Sequence, residues 1–357
     1  MSTSASTGRP LRIGILGCAN IARQFARDVA ASPAVRIVAV ASRSEASAAA
    51  FAAAHGIARH HASYQALLDD AQVDAIYLPL PNSLHAAWAV RAAQHGKHVL
   101  CEKPLALGLA EARTMFDAAR AHRVMLLESY PYWFQPQTGA LVELLRQGAI
   151  GKLRSVQASF GFTLAHPAGN IRMDPLLGGG ALLDAGSYPL SLICLVMGEA
   201  PQRVTADAVW AESGVDISLV ASLHYADERR AQIACAMDVA NHRRATLVGT
   251  AGVIETEFLN HTAERAGADP RGYLPSQLRV RRGTANTVAF EDIRSGVGSG
   301  FRFAAEALAR VIEEGDTEAL ERAARASLDI AATLEALASS ARLGRAVEVA
   351  EGAGELL

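Results

Sequence analysis

The chain has 357 residues, half of them hydrophobic and 20% charged, with 34 Lys and Arg against 36 Asp and Glu and a formal net charge of −2. That composition supplies a sizeable core for about two domains and excludes a disordered chain, and the missing basic excess argues against a nucleic-acid binder. Four scattered cysteines without a CxxC pair signal neither a disulfide framework nor a cysteine zinc site, and a reducing compartment suits them.

The first ten residues, small and polar, read as a frayed tail with neither a secretory nor a twin-arginine leader. From Leu11 to Ser129 short apolar strands alternate with helices. Strands are expected at Leu11–Leu16, Arg36–Val40, Asp74–Leu78, His98–Cys101 and Val124–Leu127, and helices at Asn20–Ala31, Glu45–His55, Ser83–His95 and Leu109–His122. Continuous apolar strands separated by helices mean a parallel sheet covered on both faces, and right-handed crossovers make it doubly wound. The pattern changes near Gly151. In Leu153–Phe162 the apolar residues Val156, Ala158, Phe160 and Phe162 alternate with Ser155, Gln157 and Ser159, the period of a half-buried strand. Further strands are expected at Arg203–Trp210, Asp216–His224, Ala231–Asp238, Ala245–Gly249, Val253–Phe258, Leu278–Arg281 and Val288–Phe290, with one helix from about Gly180 to Met197 and two at the end, Phe301–Glu314 and Thr317–Leu343. His261–Leu274 is polar and broken by Gly and Pro, so it reads as a surface loop. No uninterrupted apolar run approaches the roughly 20 residues that cross a bilayer; the best, Leu190–Met197, is short and holds Ser191. The expected fold is an α/β Rossmann domain over 11–129 with a doubly wound parallel sheet. An α+β domain over 130–357 follows, with a large, mainly antiparallel sheet, for substrate binding and oligomerisation; its last helices have the option of packing back on the first domain. A cytoplasmic protein with no membrane partner is expected.

The first strand runs into Gly17-Cys18-Ala19-Asn20-Ile21-Ala22 and then a helix, where a strand–turn–helix unit holds a pyrophosphate on a helix N-terminus. Gly17 permits the tight turn, Ala22 lets helix and strand pack closely, and Ala19 stands at the usual middle glycine. At the end of the second strand, 25 residues past Gly17, the run is Ser42-Arg43-Ser44 with no carboxylate in the turn. A guanidinium flanked by hydroxyls suits a ribose 2′-phosphate, so NADP is favoured over NAD. Pro81-Asn82-Ser83-Leu84-His85 and Cys101-Glu102-Lys103-Pro104 follow two further strands and belong beside the cofactor. Gly178-Gly179-Gly180 opens the second domain's helix and leads to Asp184 and Tyr188.

On these segments, and on the closing stretch 327–349, nearly the whole chain resembles the Gfo/Idh/MocA oxidoreductase family (glucose–fructose oxidoreductase, inositol dehydrogenase and relatives). Tyrosine at position 188 is similar to the branch of glucose–fructose oxidoreductase, NADP-dependent D-xylose dehydrogenases and dimeric dihydrodiol dehydrogenases. The resemblance implies an NAD(P)-dependent dehydrogenase or reductase acting on a sugar or cyclic polyol, D-xylose 1-dehydrogenase-like, with a trans-dihydrodiol or sugar-ketone activity as the alternative. A non-catalytic nucleotide sensor on the same fold is the alternative of another class, disfavoured by Lys103, Asp184 and Tyr188 occurring together.

In the chemical reading Tyr188 is the general acid/base, and a phenol, which ionises near pH 10 unperturbed, needs help to act at neutral pH. Lys103 is the expected helper, and Asp184, four residues before Tyr188, pairs with Lys103 or orients the substrate. Gly17, Ala19, Asn20, Ile21, Ser42, Arg43, Pro81, Asn82, His85, Glu102 and Lys103 are the expected cofactor residues, His85 having a structural reading as well. Trp133, Asn170, Arg172 and Tyr188 are the expected substrate contacts. Trp133 and Gln135 stand where relatives carry arginine and histidine, so the aromatic run 130–134 either stacks on substrate or forms interface core. No metal is expected from His55, His60 and His61, which lack carboxylates at ligand spacing. A homodimer or homotetramer is expected through the sheet's uncovered face, with Phe160, Phe162 and Trp210 divided between that face and the core.

Overall fold

The computed structural model describes residues 9–267 and 273–352. Most of the expected 1–10 tail and part of the expected 261–274 loop lie outside the described residues. The chain divides into two units. The first comprises residues up to Leu105, Glu111–Ser129 and Phe301–Ala324, and the second Ala106–Ala110, Tyr130–Gly300 and Arg325 onward.

In the first unit the elements run β1 (Leu11–Leu16), α1 (Asn20–Val29), β2 (Val35–Ala41), α2 (Glu45–His55), β3 (Arg59–His61), α3 (Tyr64–Leu68), β4 (Ala75–Leu78), α4 (His85–Gln94), β5 (His98–Glu102), α5 (Leu109–Ala121) and β6 (Leu126–Ser129). The six strands are parallel in the order β3-β2-β1-β4-β5-β6. Progress across the sheet reverses between β1 and β4, and a crevice for a ligand opens at such a switch point beyond the strands' carboxyl ends. Ile13, Ile15, Leu16, Ala75, Ile76, Tyr77, Leu78 and Leu100 are wholly buried, as strands covered on both faces require. Phe25 of α1 stacks on Tyr77 with centroids 3.8 Å apart. Gly14 is glycine for packing: a Cβ there would lie 2.8 Å from Leu67 of α3. β3 and α3 were not expected; β3 is three residues of Arg and His with no apolar run to announce it.

The second unit runs α6 (Pro136–Arg146), β7 (Leu153–Thr163), α7 (Ser187–Met197), β8 (Arg203–Trp210), β9 (Asp216–His224), β10 (Arg230–Ala236), β11 (Asp238–Gly249), β12 (Gly252–Thr256), β13 (His261–Thr262), β14 (Leu278–Arg282), β15 (Glu291–Asp292) and β16 (Gly298–Ser299). α8 (Gly300–Glu314) returns to the first unit, α9 (Thr317–Leu343) contributes to both, and β17 (Val347–Glu348) completes the second. Nine strands form one sheet in the order β15-β14-β12-β11-β7-β10-β9-β8-β17, antiparallel except for the parallel β7–β10 pair. α6, α7 and the later part of α9 bury Leu141, Leu144, Leu190, Leu192, Ile330 and Leu334 in the core on one face. The other face exposes Gln157, Gln232 and Thr205. Phe160 points into the core at 8% exposure, so it does not belong to the uncovered face, whereas Trp210 is 38% exposed. Val288–Phe290 is not a strand; the short β15 follows it. Averaged over 18 residues, Pro175–Met197 is apolar enough to span a bilayer, yet 78% of that stretch is buried inside the protein. None of the four cysteines is in a disulfide.

Candidate active site

At the end of β1 the backbone turns sharply: Gly17 has φ +106°, a region closed to most side chains. A Cβ at Gly17 would also press on Leu80, just past β4, so the two loops at the switch point touch. α1 starts at Asn20 after Ala19 with no side-chain cap and no acidic residue in its first turn. Its first amides and the positive end of its dipole therefore remain for an anion, the cradle a dinucleotide's pyrophosphate needs. Beyond β2, Arg43 is exposed, and its charge reaches the phenol of Tyr64 from α3. Ser42 and Ser44 are committed to the turn, Ser42 accepting from the Ser44 amide and Ser44 capping α2 through the Ser47 amide.

Three expected cofactor residues differ among themselves. Lys103 follows β5 and begins the cis Lys103–Pro104 bond. Glu102 turns inward instead: at 7% exposure its carboxylate accepts a 2.7 Å hydrogen bond from the Tyr77 hydroxyl. Burial pushes the Glu102 carboxyl up to about 6. His85 is wholly buried, with Nδ1 2.9 Å from the Pro104 carbonyl and Nε2 2.8 Å from the Leu80 carbonyl. Two acceptors favour an imidazolium, but burial dominates and pulls the ring's ionisation down. His85 thus pins the loop carrying Lys103 to the loop carrying Pro81 and Asn82. For both His85 and Glu102 the expected cofactor contact is corrected to an interior, positioning role, because their polar atoms are spent on the protein.

In the second unit the segment before α7 folds around its own backbone. Gly180 has φ +111°, and a Cβ there would run into the Asp216 carboxylate. Asp216 in turn accepts a 2.6 Å hydrogen bond from the Leu182 amide. A Cβ at Gly179 would collide with the Arg172 and Asp174 carbonyls, so Gly179 admits the chain's own backbone there. Leu182–Gly186 is a π-turn, wider than an α-helical one, so the four-residue step from Asp184 to Tyr188 is not one regular turn. Asp184 pairs with Arg172 at 2.6 Å. Asn170 accepts from the Arg172 amide and donates to the His166 carbonyl, which fixes that loop.

Tyr188 opens α7 and is 6% exposed. Its hydroxyl accepts a 3.1 Å hydrogen bond from the Asn260 amide. Its ring lies among Tyr130 (5.6 Å), Tyr132 (6.0 Å) and Phe160 (5.4 Å). The Arg243 guanidinium of β11 stands 4.5 Å from the ring centroid. Trp133 stacks near Tyr130 and donates its indole N–H to the Tyr132 hydroxyl at 2.7 Å. Gln135 is 2% exposed and donates to the carbonyls of Asn260 and Gly298, so it holds the Asn260 loop. Asn260, Arg243, Tyr64 and Asp216 were not anticipated. One signal existed: Arg243, Ala245 and Leu247 share the inward face of β11 by period two.

The arrangement offers an anion cradle and an arginine in one unit and a buried, hydrogen-bonded phenol beside a cation in the other. Comparisons with known proteins show the family. A family model described as "Oxidoreductase family, NAD-binding Rossmann fold" matches residues 11–130, and one described as "GFO/IDH/MocA C-terminal domain" matches 139–255. D-xylose 1-dehydrogenase (NADP(+)) 2 of Haloferax volcanii is 34% identical over 340 residues, 95% of this chain and the whole of that one. Trans-1,2-dihydrobenzene-1,2-diol dehydrogenase of Danio rerio is 33% identical, over 82% of this chain and 90% of that one. A crystal structure of a 3-ketoreductase from Actinomadura kijaniata, in complex with NADP and TDP-benzene, superposes with a TM-score of 0.80 at 30% identity. It covers 93% of this chain and 98% of that one. The chain belongs to the GFO/IDH/MocA family of oxidoreductases, with an NAD-binding Rossmann fold in its first unit.

Proposed function

We propose that this enzyme is an NADP-preferring dehydrogenase or reductase that works on a carbinol or carbonyl carbon of a sugar or cyclic polyol, with Tyr188 as the general acid/base. The observation that carries the reading is the Tyr188 hydroxyl, buried, oriented by the Asn260 amide and overlain by a guanidinium. A bound nicotinamide takes up or gives back the hydride. Tyr188 accepts the hydroxyl proton during oxidation and returns it during reduction. Lys103 binds a substrate or ribose hydroxyl, Asp184 holds Arg172 toward substrate, and Trp133 offers a flat face to a ring. Gly17 and Ala19 in the turn, with Asn20 and Ile21 in the first turn of α1, would hold the cofactor's pyrophosphate. Arg43 would take the 2′-phosphate, and Pro81 and Asn82 would lie by the nicotinamide. The NADP(+) in the name of the Haloferax relative supports that preference.

A second reading, oxidation of an aromatic trans-dihydrodiol, is favoured by the Danio relative and by the Tyr130, Tyr132 and Trp133 cluster. The reading places the enzyme in the cytoplasm as a homo-oligomer, paired through the uncovered sheet face with Trp210 and Val220 among the contacts. Light scattering tests that, a monomer refuting it. The deciding experiment measures nicotinamide absorbance with NADP+ or NAD+ and a panel of D-xylose, D-glucose, myo-inositol and trans-dihydrobenzenediol. Turnover of an aldose or cyclic polyol, faster with NADP+, is expected; cofactor binding without turnover of any member would instead favour a nucleotide sensor.

A further inference from the structure

Along the run from Cys101 to Ala106 every residue is buried except Lys103, which is half-buried. The chain leaves β5 at Glu102, passes the lysine and reaches the peptide group that joins Pro104 to Leu105. Both poles of that one peptide group meet interior side chains. Its carbonyl oxygen lies 2.9 Å from Nδ1 of His85 on α4. Its amide donates a 2.8 Å hydrogen bond to Oε1 of Glu128 on β6. Glu128 is 4% exposed and His85 wholly buried, so both contacts are screened from water.

Sheet register brings Glu128 to this place. β6 pairs in parallel with β5, Glu128 beside Cys101 and Ser129 beside Glu102, so the Glu128 carboxyl stands where the chain leaves β5. The pyrrolidine ring of Pro104 fixes that residue's φ, and a peptide group held at both poles fixes its ψ. Backbone freedom between Lys103 and the held peptide group is thereby removed. On the other side Glu102 is anchored by its strand pairing and by the 2.7 Å hydrogen bond from the Tyr77 hydroxyl. The backbone of Lys103 is thus suspended between two fixed points, and its amine moves only on the side-chain stem.

We propose that Glu128 is a positioning residue for Lys103: by holding the Leu105 amide, its carboxyl oxygen sets where the lysine amine stands beyond the end of β5. The proposal rests on the reading of Lys103 as the group that binds a substrate or ribose hydroxyl. Glu128 touches neither substrate nor cofactor in this account and acts through the backbone of residues 103–105.

The test is a double-mutant cycle with amide hydrogen exchange beside it. Glu128→Met removes the acceptor at similar side-chain length, and Glu128→Gln keeps an oxygen for the Leu105 amide. Glu128→Asp, which withdraws the carboxyl by one methylene, takes the place of Glu128→Met if that variant does not fold. Misplacing a binding group by about 1 Å costs up to roughly a hundredfold. Glu128→Met is therefore expected to lower kcat/KM, with NADP+ and the best panel substrate, by about ten- to a hundredfold, and Glu128→Gln to recover most of that loss. In a Lys103→Met background the same change should cost at most about twofold, because residues acting through one another do not add. Exchange of the Leu105 amide should quicken in Glu128→Met and stay as in the parent in Lys103→Met. An equal loss of kcat/KM in both backgrounds, or exchange that does not quicken, would overturn the proposal. Parent-like turnover of Lys103→Met would sink the Lys103 reading by itself, and the exchange would then decide whether Glu128 holds the loop.

Discussion

Replacing His85 with leucine isolates what that buried ring does. Leucine is close in size, so it leaves little cavity, but it donates nothing to the carbonyls of Pro104 and Leu80, which lie 2.9 and 2.8 Å from the ring nitrogens. A neutral imidazole donates to one of them at a time, so one firm hydrogen bond and one polar contact are lost. An unsatisfied buried acceptor costs about 1–3 kcal/mol, and exclusion of water by the leucine methyls prevents rescue. Burial of the apolar side chain offsets about 1 kcal/mol of that cost. The net expectation is a loss of up to about 2 kcal/mol, a sizeable share of the roughly 5–15 kcal/mol that holds a typical domain. Urea unfolding, followed by far-ultraviolet circular dichroism, measures it as a lower midpoint at unchanged slope. Because the same ring ties the Lys103 loop to the Pro81–Asn82 loop, NADPH binding should weaken in step. A variant as stable as the parent, with unaltered NADPH affinity, would refute the assignment of His85 to the clamp.

Arg43→Ala should lower kcat/KM with NADP+ by about tenfold or more and leave the NAD+ value nearly unchanged, since a charge-assisted contact to phosphate is worth roughly 1.5–3 kcal/mol; equal losses with both cofactors would remove the 2′-phosphate role. For Glu102 the sign follows from its folded value of about 6 against an ordinary 4.5. The folded state binds the proton more tightly, so stability is greatest below about pH 4.5 and falls as pH rises through about 6, by about 2 kcal/mol. Glu102→Gln should therefore gain on the parent as pH rises through that window, measured by urea midpoints; parallel curves would contradict the buried carboxyl. Gly180→Ala should cost more than about 1–3 kcal/mol, from the left-handed backbone and the displaced Asp216 cap, seen as a lower thermal midpoint.

Much of this could be read in the chain because local patterns decide it. Buried parallel strands are apolar throughout, which made β1, β4 and β5 legible, and the Gly17 turn lies between a strand and a helix that both announce themselves. β7 was legible by alternation. What escaped depends on partners far away in sequence. β3 is held by pairing with β2, not by its own apolarity, and α6 begins at Pro136 within an irregular aromatic run. β11 begins earlier than expected: Asp238, Asn241, His242, Arg243 and Arg244 are too polar to announce a strand, while the backbone of Asp238 and of His242–Arg244 still pairs with β7.

The candidate site divides along the same line. Lys103, Asp184 and Tyr188 stood out by motif, but which group each one meets did not. Asp184 is taken by Arg172, twelve residues earlier, while Tyr188 meets Asn260 and Arg243, 72 and 55 residues further on. Glu102 and His85, read as cofactor contacts, face inward because the residues that satisfy them, Tyr77 and the Leu80 and Pro104 carbonyls, sit on neighbouring strands and loops. A side chain next to a binding loop in sequence serves as its support as readily as its surface.

The most direct measurement is turnover of Tyr188→Phe with saturating NADP+ and the best member of the substrate panel, alongside its NADPH affinity. Loss of a general acid/base lowers kcat by roughly 10²–10⁴-fold while the cofactor still binds. Turnover within a few-fold of the parent, at unchanged cofactor affinity, would contradict the account.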